Sequence, residues 1–156
     1  MVMQDNLKAF LIMIRYGEGT SGENGYRVMF GGELFTSFDD HPRKAIKKKL
    51  GGKPITSTAA GAYQFLSKTW DECRDKLELP DFSPHSQDRA AAFLIYRRRA
   101  LGDVIVGRFY SAVKKCNKEW ASLPGSPYGQ PVVTWAKALE VYERAGGINI
   151  EDADNG

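Results

Sequence analysis

Residues 5–20 read DNLKAFLIMIRYGEGT, and the fold is read outward from this stretch. Leu7, Phe10, Leu11 and Ile14 fall at i, i+3, i+4 and i+7, one face of an amphipathic helix. The spacing predicts a first helix from about Asp5 to Gly17. Its apolar run AFLIMI is too short to span a membrane, and Asp5, Lys8 and Arg15 bracket it. No small-residue cleavage site comes after it, so the run reads as a packed helix and not as a signal peptide.

Glu18 comes four residues after Ile14, between Gly17 and Gly19. If the helix continues that far, the carboxyl lies on the apolar stripe and points along the edge of the core. Desolvation and the negative end of the helix dipole would then both raise its pKa. A carboxylic acid kept protonated near neutrality suits the acid step of glycoside cleavage, in which the leaving oxygen must receive a proton. If instead the helix stops at Gly17, Glu18 is a solvated loop residue. Spacing alone leaves both readings open.

The rest of the chain is consistent with a soluble globular protein. Its 156 residues are the size of one domain, 42% are hydrophobic, and 22 Lys+Arg against 19 Asp+Glu give a net charge of +3. A single domain over 1–156 is expected, with an acidic, unpatterned tail frayed from about residue 150. YRVMFGGELFTSF predicts two short strands around Gly31-Gly32. STAAGAYQFLSKTWDECRDKL predicts a second helix with Leu66, Trp70, Cys73 and Leu77 on one face. Ser83 and Pro84 open a third as N-cap and first helical residue. Phe109, Val113, Cys116 and Trp120 mark another. Val132, Trp135, Ala136, Leu139 and Tyr142 mark the last, which stops at Gly146-Gly147. The sum is an α+β protein, mainly helical, with a small β-hairpin region early in the chain.

Several features carry a bland reading. Trp70, Trp120 and Trp135 sit on helical stripes and read as core. Cys73 and Cys116 read as small core residues whose free thiols fit a reducing compartment, with a mutual disulfide left open. His41 and His85 lie in turn and cap contexts without ligand partners at metal spacing, so neither metal nor cofactor is expected. RKAIKKK reads as a solvated face, or else as a patch that draws the protein to anionic wall or membrane polymers. YRRR comes with no nucleic-acid-binding motif, and no nucleic-acid partner is expected.

Five blocks, FLIMIRYGEGT, GGELFTSFDDHPRK, STAAGAYQFLSKTWD, DFSPHSQD and WASLPGSPYGQ, closely resemble, in this order, the lambda-type endolysins of bacteriophages. The likeness runs from about Ala9 to Gly147. It implies a lysozyme-like α+β fold and a lytic transglycosylase. Such an enzyme cuts peptidoglycan between N-acetylmuramic acid and N-acetylglucosamine without water, leaving a 1,6-anhydro ring on the muramic acid. It implies Glu18 as the catalytic acid, with Thr20 beside it, Tyr63 and Gln64 of AYQF, and Tyr128 of PYGQ as substrate-binding residues. It implies peptidoglycan glycan strands as partner and a monomeric enzyme made in the host cytoplasm. Such an enzyme reaches the wall only after a holin-like pore protein opens the inner membrane. The loop after EGT is shorter here than in that family, which leaves the number of sugar subsites open.

Hydrolytic phage lysozymes carry an aspartate and then a threonine after their catalytic glutamate, spaced E-x8-D-x5-T. Here those positions hold Arg27 and Glu33. A muramidase that uses Glu33 or Glu23 to hold a water is the close alternative. A non-catalytic basic domain that binds the wall is the distant one.

Overall fold

The computed structural model describes residues 3–153. Among these it places α1 Asp5–Glu18, β1 Ile46–Leu50, β2 Lys53–Ser57, α2 Ser67–Leu77, α3 Pro84–Arg97, α4 Leu101–Val106, α5 Phe109–Cys116 and α6 Trp135–Arg144. This is the α+β architecture expected. Among the described residues no helix is long and apolar enough to cross a membrane. The chain has two compact units, Met1–Gly19 with Ala91–Gly156, and Thr20–Ala90.

In the first unit α1 packs on α6 and α4. Gln4 caps its start by accepting the Leu7 N–H at 2.9 Å. The helix continues through Glu18 and ends on Gly19, whose φ of 76° is the left-handed C-cap conformation that glycine adopts without strain. Gly17 is thus helical and not the terminator. Phe10 meets the Phe109 and Tyr142 rings edge-on at 6.3 and 6.5 Å. Trp120, one turn beyond α5, is buried as expected. Trp135 is only half-buried, with its ring 5.3 Å from that of Tyr110. Val132 precedes α6 and is exposed, because the helix begins after Thr134, whose hydroxyl accepts the Lys137 N–H.

The tail departs from expectation between Ile150 and Ala153. Ile150 N–H reaches the Gly107 carbonyl at 2.9 Å. Glu151 accepts from both the amide and the hydroxyl of Ser111, in the first turn of α5, where amides lack intrahelical partners and favour an anion. A carboxylate with a capping role is invisible to helical periodicity. The last three positions of the expected tail lie outside the described residues.

In the second unit the turn at Gly31-Gly32 forms, but its strands shrink to the single bridge Val28↔Leu34. The segment gives its other edge to residues 59–61, through Phe30 N–H to Ala59 and Gly61 N–H to Val28 at 2.8 Å each. The regular hairpin instead rises out of RKAIKKK, as β1, and returns along β2. The two strands pair antiparallel with Ile46 opposite Ser57 and Leu50 opposite Lys53, around Gly51-Gly52. The lysine-rich stretch is therefore a strand, and its charges concealed the alternation.

The second predicted helix begins only at Ser67. Residues 60–65 form a tight loop, with Ala60 and Phe65 exchanging both backbone hydrogen bonds. Gly61 has φ 86°, and a Cβ there would stand 2.5 Å from Gln87 Oε1 and 2.9 Å from the Phe82 ring. Leu66 is the N-cap and is exposed; it does not join the buried face. Trp70, Phe65, Phe35 and His41 surround Phe82, at ring separations of 4.6 to 6.3 Å. Cys73 and Cys116 are both buried thiols outside any disulfide, one in each unit, and burial pushes the Cys116 thiol up to about 12.

Candidate active site

Glu18 closes the last turn of α1 and is half-buried. Burial raises its carboxyl above the ordinary glutamate range, and a hydrogen bond from Ser122 opposes the rise without cancelling it. Ser122 Oγ donates to Glu18 Oε2 at 2.5 Å. That approach depends on Gly17: a Cβ there would lie 2.6 Å from Ser122 Oγ. The serine is held in turn by its carbonyl, which accepts the Val133 N–H at 2.8 Å, and by the buried Trp120 and Leu123 beside it. A groove of ≈ 410 Å³ runs alongside, lined by Tyr16, Gly17, Ser122, Val132, Val133 and Lys137 among others.

The other expected site residues occupy different settings. Thr20 is buried and donates to the Ala62 carbonyl at 2.5 Å. Tyr63 is 2% exposed, and its hydroxyl donates to Asp88 at 2.6 Å. Its ring is buried within the second unit, and the bond to Asp88 ties the 60–65 loop to α3. Gln64 takes φ 49° and spends its amide nitrogen on the Val28 and Gly61 carbonyls at 3.0 and 2.8 Å. Tyr128 is 54% exposed, with its hydroxyl tethered to the Lys118 carbonyl at 3.0 Å. Within the first unit the structure brings Glu18 and Ser122 together. Thr20, Tyr63 and Gln64 belong to the second unit. Glu23 and Glu33 are exposed side chains of that unit too.

Sequence reasoning missed Ser122, Gln87 and Asp88. Gln87, fully buried, accepts the Ala62 N–H and donates to the Tyr26 and Phe82 carbonyls, and so shapes the loop that carries Tyr63 and Gln64. Asp88 accepts from both Tyr26 and Tyr63. Each lies in one of the five endolysin-like blocks, yet no periodicity marks a polar residue whose partner is 25 or 104 residues distant.

Ser122→Ala removes the hydrogen bond that lowers the Glu18 pKa. The carboxyl should therefore titrate at higher pH than in the wild type, as tracked by the NMR shift of its side-chain carbon. An unchanged or lower midpoint would show that the serine does not stabilise the ionised form.

A family model described as Endolysin matches residues 8–149. The endolysin of Escherichia phage lambda is 44% identical over 146 residues, covering 90% of each chain. That of Escherichia phage P2 is 42% identical over 155 residues, covering 92% of this chain and 94% of the other. Among solved structures, bacteriophage lambda lysozyme complexed with a chitohexasaccharide aligns with a TM-score of 0.87 at 41% identity, over 96% of this chain and 99% of that one. A second structure, lysozyme from bacteriophage lambda, aligns over the same shares with a TM-score of 0.81. At this identity and coverage the fold is lysozyme-like, and the chain belongs to the endolysin family of bacteriophages.

Proposed function

We propose that the protein is a lytic transglycosylase that cleaves the MurNAc–GlcNAc β-1,4 bond of peptidoglycan, with Glu18 as acid and then base. The observation that carries this reading is the half-buried Glu18 carboxyl, held above its ordinary range and partnered by a neutral hydroxyl. With Oε2 accepting from Ser122, Oε1 is the oxygen that carries the proton. Glu18 delivers it to the glycosidic oxygen as the C1–O bond of the muramic residue breaks. The resulting carboxylate takes the proton from the C6 hydroxyl of the same sugar as that oxygen bonds to C1, which restores the acid. Because the nucleophile is intramolecular, proximity can contribute about 7–11 kcal/mol, and no protein nucleophile is needed.

The glycan ligand of the lambda lysozyme structure supports a polysaccharide substrate here. The exposed Tyr128 ring suits a sugar face. Gln64 Oε1 suits a sugar hydroxyl, because its amide nitrogen is already engaged. Thr20 and Tyr63 support substrate binding as positioning residues. A monomer released to the wall through a holin-like pore completes the proposal.

Hydrolysis by the same acid is the second reading, favoured by the likeness to bacteriophage lambda lysozyme. Mass spectrometry of fragments from purified peptidoglycan separates the two. Anhydro-muramyl ends are expected, and reducing muramic ends would overturn the transglycosylase mechanism and turn attention to Glu23 and Glu33.

A further inference from the structure

We infer that the groove beside Glu18 takes the lactyl-peptide arm of the muramic residue, with Lys137 as the cation that recognises its carboxylate. This rests on the proposed peptidoglycan substrate and adds the part of it that distinguishes muramic acid from glucosamine. The groove is lined by Gly17 and Ser122, the chain neighbour and the hydrogen-bond partner of Glu18, so a group lying in it lies beside the acid. Pro131, Val132 and Val133 give it an apolar wall, and Val132 is 44% exposed. The cationic member of the lining is Lys137, exposed on the first turns of α6.

Lys137 is positioned but not consumed by its neighbours. Its ammonium stands 5.7 Å from the centre of the Tyr16 ring, also in the lining. Its contact with Glu140 is long, at 3.5 Å, and Arg144 shares that carboxylate at 3.4 Å. A neutral sugar offers an ammonium hydrogen-bond acceptors but no counter-charge, and an apolar wall leaves a sugar's hydroxyls unmatched. The muramic arm has the matching order: a lactyl methyl and an alanine methyl for the valines, then the free carboxylate of the second amino acid for the lysine.

The test compares two forms of one substrate: peptide-bearing glycan strands, and the same strands stripped of peptide by an amidase. The wild type should cut peptide-bearing strands with the higher kcat/KM. Lys137→Met should lower that preference by about three- to tenfold, chiefly through KM, as expected for one solvent-accessible ion pair. Lys137→Glu should lower it further, and Lys137→Arg should retain most of it. A wild-type preference near one, or a preference unmoved by Lys137→Met, overturns the inference. Failure of the wild type to cut either strand would instead overturn the peptidoglycan reading beneath it. Circular dichroism of each variant confirms that the exposed substitution leaves the fold intact.

Discussion

Glu18→Gln is expected to lower the rate of glycan cleavage by about 10²–10⁴-fold, the usual contribution of a positioned general acid. The substitution keeps the side chain's size and an oxygen to accept the Ser122 hydroxyl, so the site geometry should persist. It removes only the proton that the leaving oxygen must receive. Single-turnover assays on peptidoglycan measure it, and a variant retaining most of the wild-type rate would remove Glu18 from the chemistry.

The same variant should be more stable than the wild type at neutral pH. Burial raises the Glu18 pKa in the folded state, so the folded protein holds this proton more tightly than the unfolded chain does. The associated stabilisation is complete below the ordinary carboxylate pKa and is lost as pH rises through the raised one. Wild-type Glu18 therefore carries a stability cost at pH 7 that glutamine lacks. Thermal unfolding should place the Tm of Glu18→Gln above wild type at pH 7, with the gap closing in acid. An opposite trend would mean that the fold stabilises the ionised carboxylate despite its burial.

Phe82→Ala is the substitution expected to cost most in stability, about 3–5 kcal/mol. Phe82 has no exposed surface, and four aromatic residues face its ring, with Trp70 nearest at 4.6 Å edge-to-face. The cavity left by its ring cannot close easily, because Gly61 approaches from the loop and Gln87 fixes the backbone around it. Denaturant unfolding tests this, and a loss below about 1.5 kcal/mol would mean that the aromatic cluster repacks. Activity should fall with stability, since the displaced loop carries Tyr63 and Gln64.

Much of the molecule was legible in the letters. The α1 stripe and the α5 face obey a 3.6-residue period that burial enforces, and α3 starts at Pro84 after Ser83 as its start signal indicates. On α6 the period is only partly kept: Tyr142 is buried, Trp135 and Leu139 are half-buried, and Val132 and Ala136 are exposed. Placing Glu18 on the extension of the α1 stripe required only that the helix run one residue past Gly17, and it does. Residues 57–66 misled because Ala, Gln and Leu favour a helix locally. Their backbone is claimed instead by Gln87, by the Gln64 amide and by the Ala60–Phe65 pair. The β1–β2 hairpin was hidden because lysines occupy both faces of β1.

The sequence by itself determined the α+β class, the buried stripes and the identity of the carboxylate at the end of α1, since each is a short-range pattern along one segment. Only the tertiary structure decided what that carboxylate meets. Ser122 reaches it from 104 residues away, and Gly17 is small because that hydroxyl must pass. A pKa depends on what surrounds a group in space, and a sequence orders neighbours only along the chain.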